Sequence, residues 1–276
     1  MNQPEQSSPF ETERQRNLAT ADAWNWYADH RERITSLLAK LVDEGTERSL
    51  CVLGAGNLND VELRPLASRF SRIDLIDWDL EAMQRGMRRQ AMPAEPPIEL
   101  HGPIDLSGIS PGDDVEQWIR ELPSAPIQLP RGDYGVVASL CLLSQLIDQT
   151  AQRLGTDHPQ LPDIIQAIRS RHLQLLAEHV RPGGTMLLVT DFVSSDTCQE
   201  LLSTPYESLA AAAANWLKSG NFFTGLHPGV LYQLMSSDPA TARFWRDVRM
   251  LPPWRWRISE RRAYAVCALV ATRSAE

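Results

Sequence analysis

No run of apolar residues in this 276-residue chain approaches the roughly 18 to 20 that a bilayer crossing needs, so no membrane-spanning helix is expected. Residues 1–17 are rich in Gln, Glu and Ser and hold no apolar stretch, so no secretory signal is read there. Cysteine is scarce: Cys51, Cys141, Cys198 and Cys267 stand far apart, none in a CxxC or comparable zinc spacing. Cys51, Cys141 and Cys267 sit in or beside apolar runs and read as small core hydrophobes. With no signal in view, a reducing, cytoplasmic location is the expectation. His172 and His179 share a helix face, but no acidic residue accompanies them at a ligand spacing, so no metal is expected. Basic residues are outnumbered, 27 against 35, a net charge of −8 that argues against a partner held by its phosphates. A small molecule is therefore the expected partner rather than nucleic acid or membrane, and nothing in the chain indicates an oligomeric state.

What is present is ordinary globular composition, 43% hydrophobic, enough to bury a full core. Residues 1–17 read as a disordered tail. Residues 18–48 read as a helical cover, with Trp24, Tyr27, Ile34, Leu37, Leu38 and Leu41 at three- and four-residue steps and Gly45 as the stop. From residue 49 to 276 strands alternate with helices. Strands are predicted at 49–53, 73–77, 98–101, 134–139 and 185–191, with helices at 61–68, 79–90, 113–122 and 162–180. The stretch from about 192 to 245 is an insertion carrying helices at 209–218 and 228–235. Two strand-like segments, 254–258 and 264–272, then follow at hairpin spacing. The fold class is α/β: a doubly wound, mostly parallel seven-stranded sheet, closed by an antiparallel hairpin, with helices on both faces.

The chemistry is concentrated after the first strand, in Gly54-Ala55-Gly56-Asn57-Leu58-Asn59-Asp60. Two glycines there allow backbone close to a ligand where a Cβ would obstruct it. A dinucleotide fingerprint needs a third glycine where Asn59 stands, and the loop has no Walker lysine. Asp77 ends the second strand, twenty-one residues after Gly56, where a carboxylate can accept from both ribose hydroxyls. Turn and acid together indicate a nucleoside-containing cofactor.

Val52 to Asn57 (VLGAGN), Leu75 to Met83 (LIDWDLEAM), Tyr134 to Leu140 (YGVVASL) and Val180 to Val189 (VRPGGTMLLV) resemble the class I S-adenosylmethionine-dependent methyltransferases. The resemblance spans roughly residues 50–272, closing hairpin included. It implies S-adenosyl-L-methionine as cofactor and S-adenosyl-L-homocysteine as product. It places Gly54, Ala55, Gly56 and Asp77 at the cofactor, Trp78 against the adenine and Asp105 near the adenine amine, with Asn57 and Ser139 as further contacts. Val52 stands where the family often has an acid, and Leu58 replaces its third small loop residue. Residues 139–144 lack the [DNS]PP[YFW] tetrad of nucleic-acid amino methyltransferases. Leu251-Pro252-Pro253-Trp254 has the wrong first residue and reads as a loop before the last hairpin.

Methyl transfer from a sulfonium is an in-line displacement, so positioning can supply most of the catalysis and no signature base is required. Candidate acceptor-side residues are Trp24, Leu140, Asp191, Phe222, Phe223 and His227, with His30 and Tyr27 as candidate bases. Residues 243–262 hold seven arginines against Asp247 and Glu260, a local 7 − 2 = +5, interleaved with Trp245, Trp254 and Trp256. This segment reads as a charged edge hairpin, with RNA gripping as the alternative. Two other functions remain open: a nicotinamide-dependent oxidoreductase, and a non-catalytic nucleotide- or RNA-binding module on the same fold.

Overall fold

A computed structural model describes residues 9–42, 48–93, 97–109, 112 and 114–275. The tail expected at residues 1–8 and the stop at Gly45 lie outside the described residues. In chain order the elements are α1 (Pro9–Ala19), α2 (Ala28–Lys40), β1 (Ser49–Leu53), α3 (Leu63–Ala67), β2 (Arg72–Ile76), α4 (Leu80–Arg89), β3 (Ile98–His101) and α5 (Val115–Glu121). There follow β4 (Tyr134–Leu140), α6 (Leu142–Leu154), α7 (Leu161–His179), β5 (Val180–Ser194), α8 (Leu209–Lys218), α9 (Pro228–Ser237), β6 (Trp245–Arg257) and β7 (Ala263–Arg273).

Every residue of β1 and β4 is buried, as continuous apolar strands must be when helices cover both faces of a parallel sheet. The seven strands lie in the order β3-β2-β1-β4-β5-β7-β6, with β7 running antiparallel to both its neighbours. The expected α/β class and closing hairpin are both found. Leu53 is level with Ile76 on one side and Ser139 on the other, so β1, β2 and β4 end together. The chain winds outward from β1 through β2 to β3, then returns to β4 on β1's other side. That reversal opens a crevice beyond the strand ends, where ligands bind in sheets of this kind.

Three expectations are corrected. Residues 9–17, read as disordered, belong to helix α1, and the helical cover read from residue 18 onward breaks at residues 20–27 before resuming as α2. Both were misread because α1 carries almost no apolar periodicity: of its side chains from Glu11 onward, only Asn17 is buried. Pro252-Pro253 is no loop. It lies inside β6, where the pairing shifts between Leu251 and Trp254, a bulge in an edge strand, the place where proline costs a sheet least.

The glycine turn has an unexpected partner. Leu58 adopts a left-handed backbone at φ 54° and is fully buried. It stands on Gly86 of α4, where an added Cβ would meet the Asn57 carbonyl oxygen at 2.4 Å and Leu58 Cβ at 2.7 Å. The close approach comes from a glycine on the facing helix rather than from a third one in the loop. Gly86→Ala should therefore cost about 1–3 kcal/mol in chemical denaturation, as overpacking does. Gly132→Ala, with nothing within 4 Å, should stay within about 0.5 kcal/mol of the parent. Equal effects at the two positions would remove this account.

Candidate functional site

Beyond β1 the chain turns through Gly54 at φ 74° and Gly56 at φ 45°, a backbone that favours glycine at both places. The Gly56 N–H donates to Asp77 Oδ2 at 2.8 Å, and the Asp79 N–H donates to Asp77 Oδ1 at 2.8 Å. Asp79 is the N-cap of α4, its carboxylate accepting from Ala82 N–H at 2.9 Å. Asp77 is thus pinned by backbone donors on both oxygens. Burial pushes its carboxyl up to about 6, against the backbone donors of Asp79, Gly56 and Trp78 that favour the ionised form.

A cavity of about 40 Å³ opens beside it, lined by Asp77, Trp78, Leu106, Leu142 and Leu146, with Asp105 at its wall. Asp105 also caps its own loop, accepting from Ser107 N–H at 2.8 Å. Gly54, Ala55, Gly56, Asp77, Trp78 and Asp105 are therefore gathered at one crevice. Asn57 and Ser139 are not. Asn57 is turned toward the N-terminal segment and donates to the Asn17 carbonyl at 2.5 Å and Thr20 Oγ1 at 3.2 Å. Ser139 faces away into the core, its Oγ 2.8 Å from His172 Nε2. Burial drives that imidazole down to about 4, so His172 stays neutral.

The segment from Asn17 to Trp24 is strapped across the glycine turn. Besides the Asn57 bonds, Asn59 donates to the Thr20 carbonyl at 2.9 Å, Asn17 to Asp79 at 3.1 Å, and Arg31 to the Trp24 carbonyl at 2.7 Å. Arg89 reaches Asn59 Oδ1 at 2.7 Å and the Ala21 carbonyl. Trp24 carries the Arg31 guanidinium 3.5 Å from its ring centre and the Arg89 guanidinium at 5.7 Å. Its cation–π face serves the protein's own arginines. No sequence signal marked this strap, because most of its bonds join polar groups thirty to seventy residues apart.

Neither candidate base is free to act. His30 is 1% exposed, stacked on Trp256 at 4.7 Å. Trp254 Nε1–H donates to its Nδ1 at 2.9 Å; an indole can only donate, so the imidazole proton sits on Nε2, 3.1 Å from Asp60. Tyr27 is buried edge-on to Trp256, and burial holds its phenol well above the usual range. Cys141 occupies the strand-to-helix turn before α6 in a left-handed conformation, φ 52°, but its thiol is core-buried and likewise pushed well above its ordinary value.

On the acceptor side, Leu140 and Asp191 come to the ends of β4 and β5, and both are buried. Phe223 tilts against Tyr264 at 6.1 Å, its N–H donating to the Phe192 carbonyl, which brings the insertion to the end of β5. Phe222 and His227 pack on each other at 5.0 Å, and His227 Nδ1 caps the Gly229 N–H at the start of α9. Among the arginines of the final hairpin, Arg255 donates to the carbonyls of Leu201, Leu202 and Thr204, and Arg257 to that of Leu202. These two fasten the insertion to the edge strand.

Among the described residues one group has metal-ligand proximity: Asp74, Glu99 and His101. Asp74 is fully buried and already accepts from Tyr134 OH at 2.6 Å, with His101 Nε2 at 3.1 Å and Arg72 at 3.3 Å. A guanidinium at that distance makes it an ion-pair network.

No protein-family model matches the sequence, and no curated protein matches it either. Among solved structures it is similar to an S-adenosylmethionine-dependent methyltransferase from Methanosarcina mazei, at 14% identity over 87% of this chain and 98% of that one, TM-score 0.47. It is also similar to an amino pentose methyltransferase from Micromonospora echinaspora, at 16% identity over 59% of this chain and 50% of that one, TM-score 0.33. A third is an O-methyltransferase family protein from Burkholderia thailandensis, at 16% identity over 88% and 56%, TM-score 0.41. The chain thus spans about half the length of the latter two. These likenesses concern the fold, whose assignment rests on the strand order and register themselves.

Asp191 offers a pH test. Burial is the main reason its carboxyl rises to about 6 from the ordinary 3.8, with Ser144 Oγ–H donating to it. Between those values the native state holds a proton that the unfolded chain has released. Stability therefore falls as pH rises from about 4 to 6, by about 1–3 kcal/mol, and stays reduced above. Asp191→Asn keeps the acceptor for Ser144 and should be more stable than the parent by that amount at pH 8. The gap should close near pH 4 in denaturation curves; a gap independent of pH would refute the assignment.

Proposed function

We propose that the chain is a cytoplasmic S-adenosyl-L-methionine-dependent methyltransferase acting on a small-molecule acceptor. The observation that carries this reading is Asp77, fixed at the end of β2 by the Gly56 and Asp79 N–H groups and lining the crevice. Such a carboxylate can take both hydroxyls of a ribose. Trp78, Leu106, Leu142 and Leu146 supply apolar walls for a base, and Asp105 stands at the wall where an exocyclic amine could donate. Gly54 and Gly56 let the turn pack closely beside the crevice: a Cβ on the first would come 3.0 Å from Leu142 Cβ, and on the second 3.1 Å from Asn17 Oδ1.

The strap favours this cofactor over a dinucleotide. A pyrophosphate needs the backbone after the glycine turn open to it. Here Asn57 and Asn59 are spent on Asn17 and Thr20, and the N-terminal segment lies over that backbone. The bound cofactor would supply an activated methyl group. The chain's own part is to orient it and keep water out, with the acceptor held between Asp191, Phe223 and the ends of β4 and β5. No proton-accepting side chain is needed for an amine or thiolate acceptor.

Calorimetric titration tests the reading. S-adenosylhomocysteine should bind and NAD should not, and Asp77→Ala should weaken S-adenosylhomocysteine at least tenfold, about 1.4 kcal/mol. Failure of S-adenosylhomocysteine to bind, or equal binding by Asp77→Ala, would overturn it.

A further inference from the structure

Helix α1 closes the crevice beside Asp77 and carries a second carboxylate into it. Glu13 lines the same cavity as Asp77, Trp78 and Asp105, with its side chain only 13% exposed. Gln149 of α6 donates to Glu13 Oε2 at 2.8 Å. Arg16, one turn along, approaches the same oxygen no nearer than 3.8 Å, and its other terminal nitrogen is paired with Asp148. The carboxylate is therefore turned inward, toward the position a cofactor would take, and only loosely neutralised.

The cavity under α1 is about 40 Å³, whereas pockets for small molecules and cofactors run to about 300–1,000 Å³. A nucleoside needs more room than that, which a lift of α1 would supply. Its attachments suit that movement. Beyond Asn17 it is held by polar contacts near the surface: Arg14 to Glu81 at 3.4 Å, Arg16 to Asp148, and Glu13 to Gln149. The strap from Asn17 to Trp24 is pinned by buried hydrogen bonds, so the hinge lies at its junction with the helix.

We propose that Glu13 is a specificity residue for the cofactor, delivered by α1, which makes the closed site favour cationic S-adenosylmethionine over neutral S-adenosylhomocysteine. This rests on the methyltransferase reading above. Transfer moves the methyl group from sulfur to the acceptor. The sulfur keeps the electron pair of the broken bond and loses its positive charge, while the acceptor's electron pair forms the new bond. The attraction that keeps α1 shut is thereby removed from the product complex, and release follows.

The charged groups facing Glu13 are Arg16 on its own helix, Asp77 and Asp79 at the start of α4, Asp105 after β3 and Asp148 on α6. Burial first, then the Asp77 charge, pushes Glu13 up to about 7. Near neutrality it is partly protonated, and a sulfonium favours the ionised form while a thioether does not. The ratio of the two affinities cancels what both ligands share, including the ionisation of Asp77.

The test is calorimetric titration of both ligands between pH 6 and 8.5, with the parent, Glu13→Gln and Glu13→Asp. The parent's preference for S-adenosylmethionine should rise about tenfold across this range. Glu13→Gln should show a flat ratio, and Glu13→Asp a reduced but still rising one. A flat ratio in the parent, or an unchanged rise in Glu13→Gln, would overturn the proposal while leaving the cofactor reading intact. Failure of the parent to bind either ligand would overturn the cofactor reading and this proposal with it.

Discussion

Two backbone N–H groups meeting on one carboxylate join the parts of this molecule that border the crevice. Gly56 belongs to the turn after β1 and Asp79 to the cap of α4, and Asp77 holds both. Through them the end of β1, the end of β2 and the first turn of α4 are fixed relative to one another, and the crevice at the sheet's reversal keeps its shape. The same carboxylate is buried and pushed toward neutrality, which is unfavourable for the fold alone.

The two faces of the sheet divide the remaining work. On one, α5 to α7 pack a large apolar core and bury the Ser139–His172 pair, neutral and closed to solvent. On the other, α2 to α4 and the hairpin tryptophans enclose His30 and Tyr27 in an aromatic cluster. The residues most suggestive of acid–base chemistry by type are thus held in packing roles. Positioning by the crevice is what this arrangement provides.

The sheet was legible in the sequence because apolar runs of strand length alternate with amphipathic helices, and β1, β3 and the helix at α8 fall where the pattern put them. The crevice residues Gly54, Gly56 and Asp77 were legible for the same reason: they sit at fixed offsets from strand ends. Asn57 and Ser139 were assigned by proximity in sequence, and their side chains point elsewhere, one to the strap and one across the strand. Glu13 and Asn17 could not be read at all. A helix as polar as α1 gives no periodic signal, and its place over the crevice depends on contacts with α4 and α6 far along the chain.

The pairing of Leu58 with Gly86 has a consequence for how such turns are recognised. A glycine-rich turn is usually described as a string of neighbouring letters, yet the space it needs is shared between two surfaces. Here one of them has yielded a hydrogen atom's width so that the other can carry a leucine. Glycine at position 58 would remove only the Leu58 contact, and the Asn57 carbonyl oxygen at 2.4 Å would still hold position 86 to glycine. A pattern confined to the loop would miss that constraint.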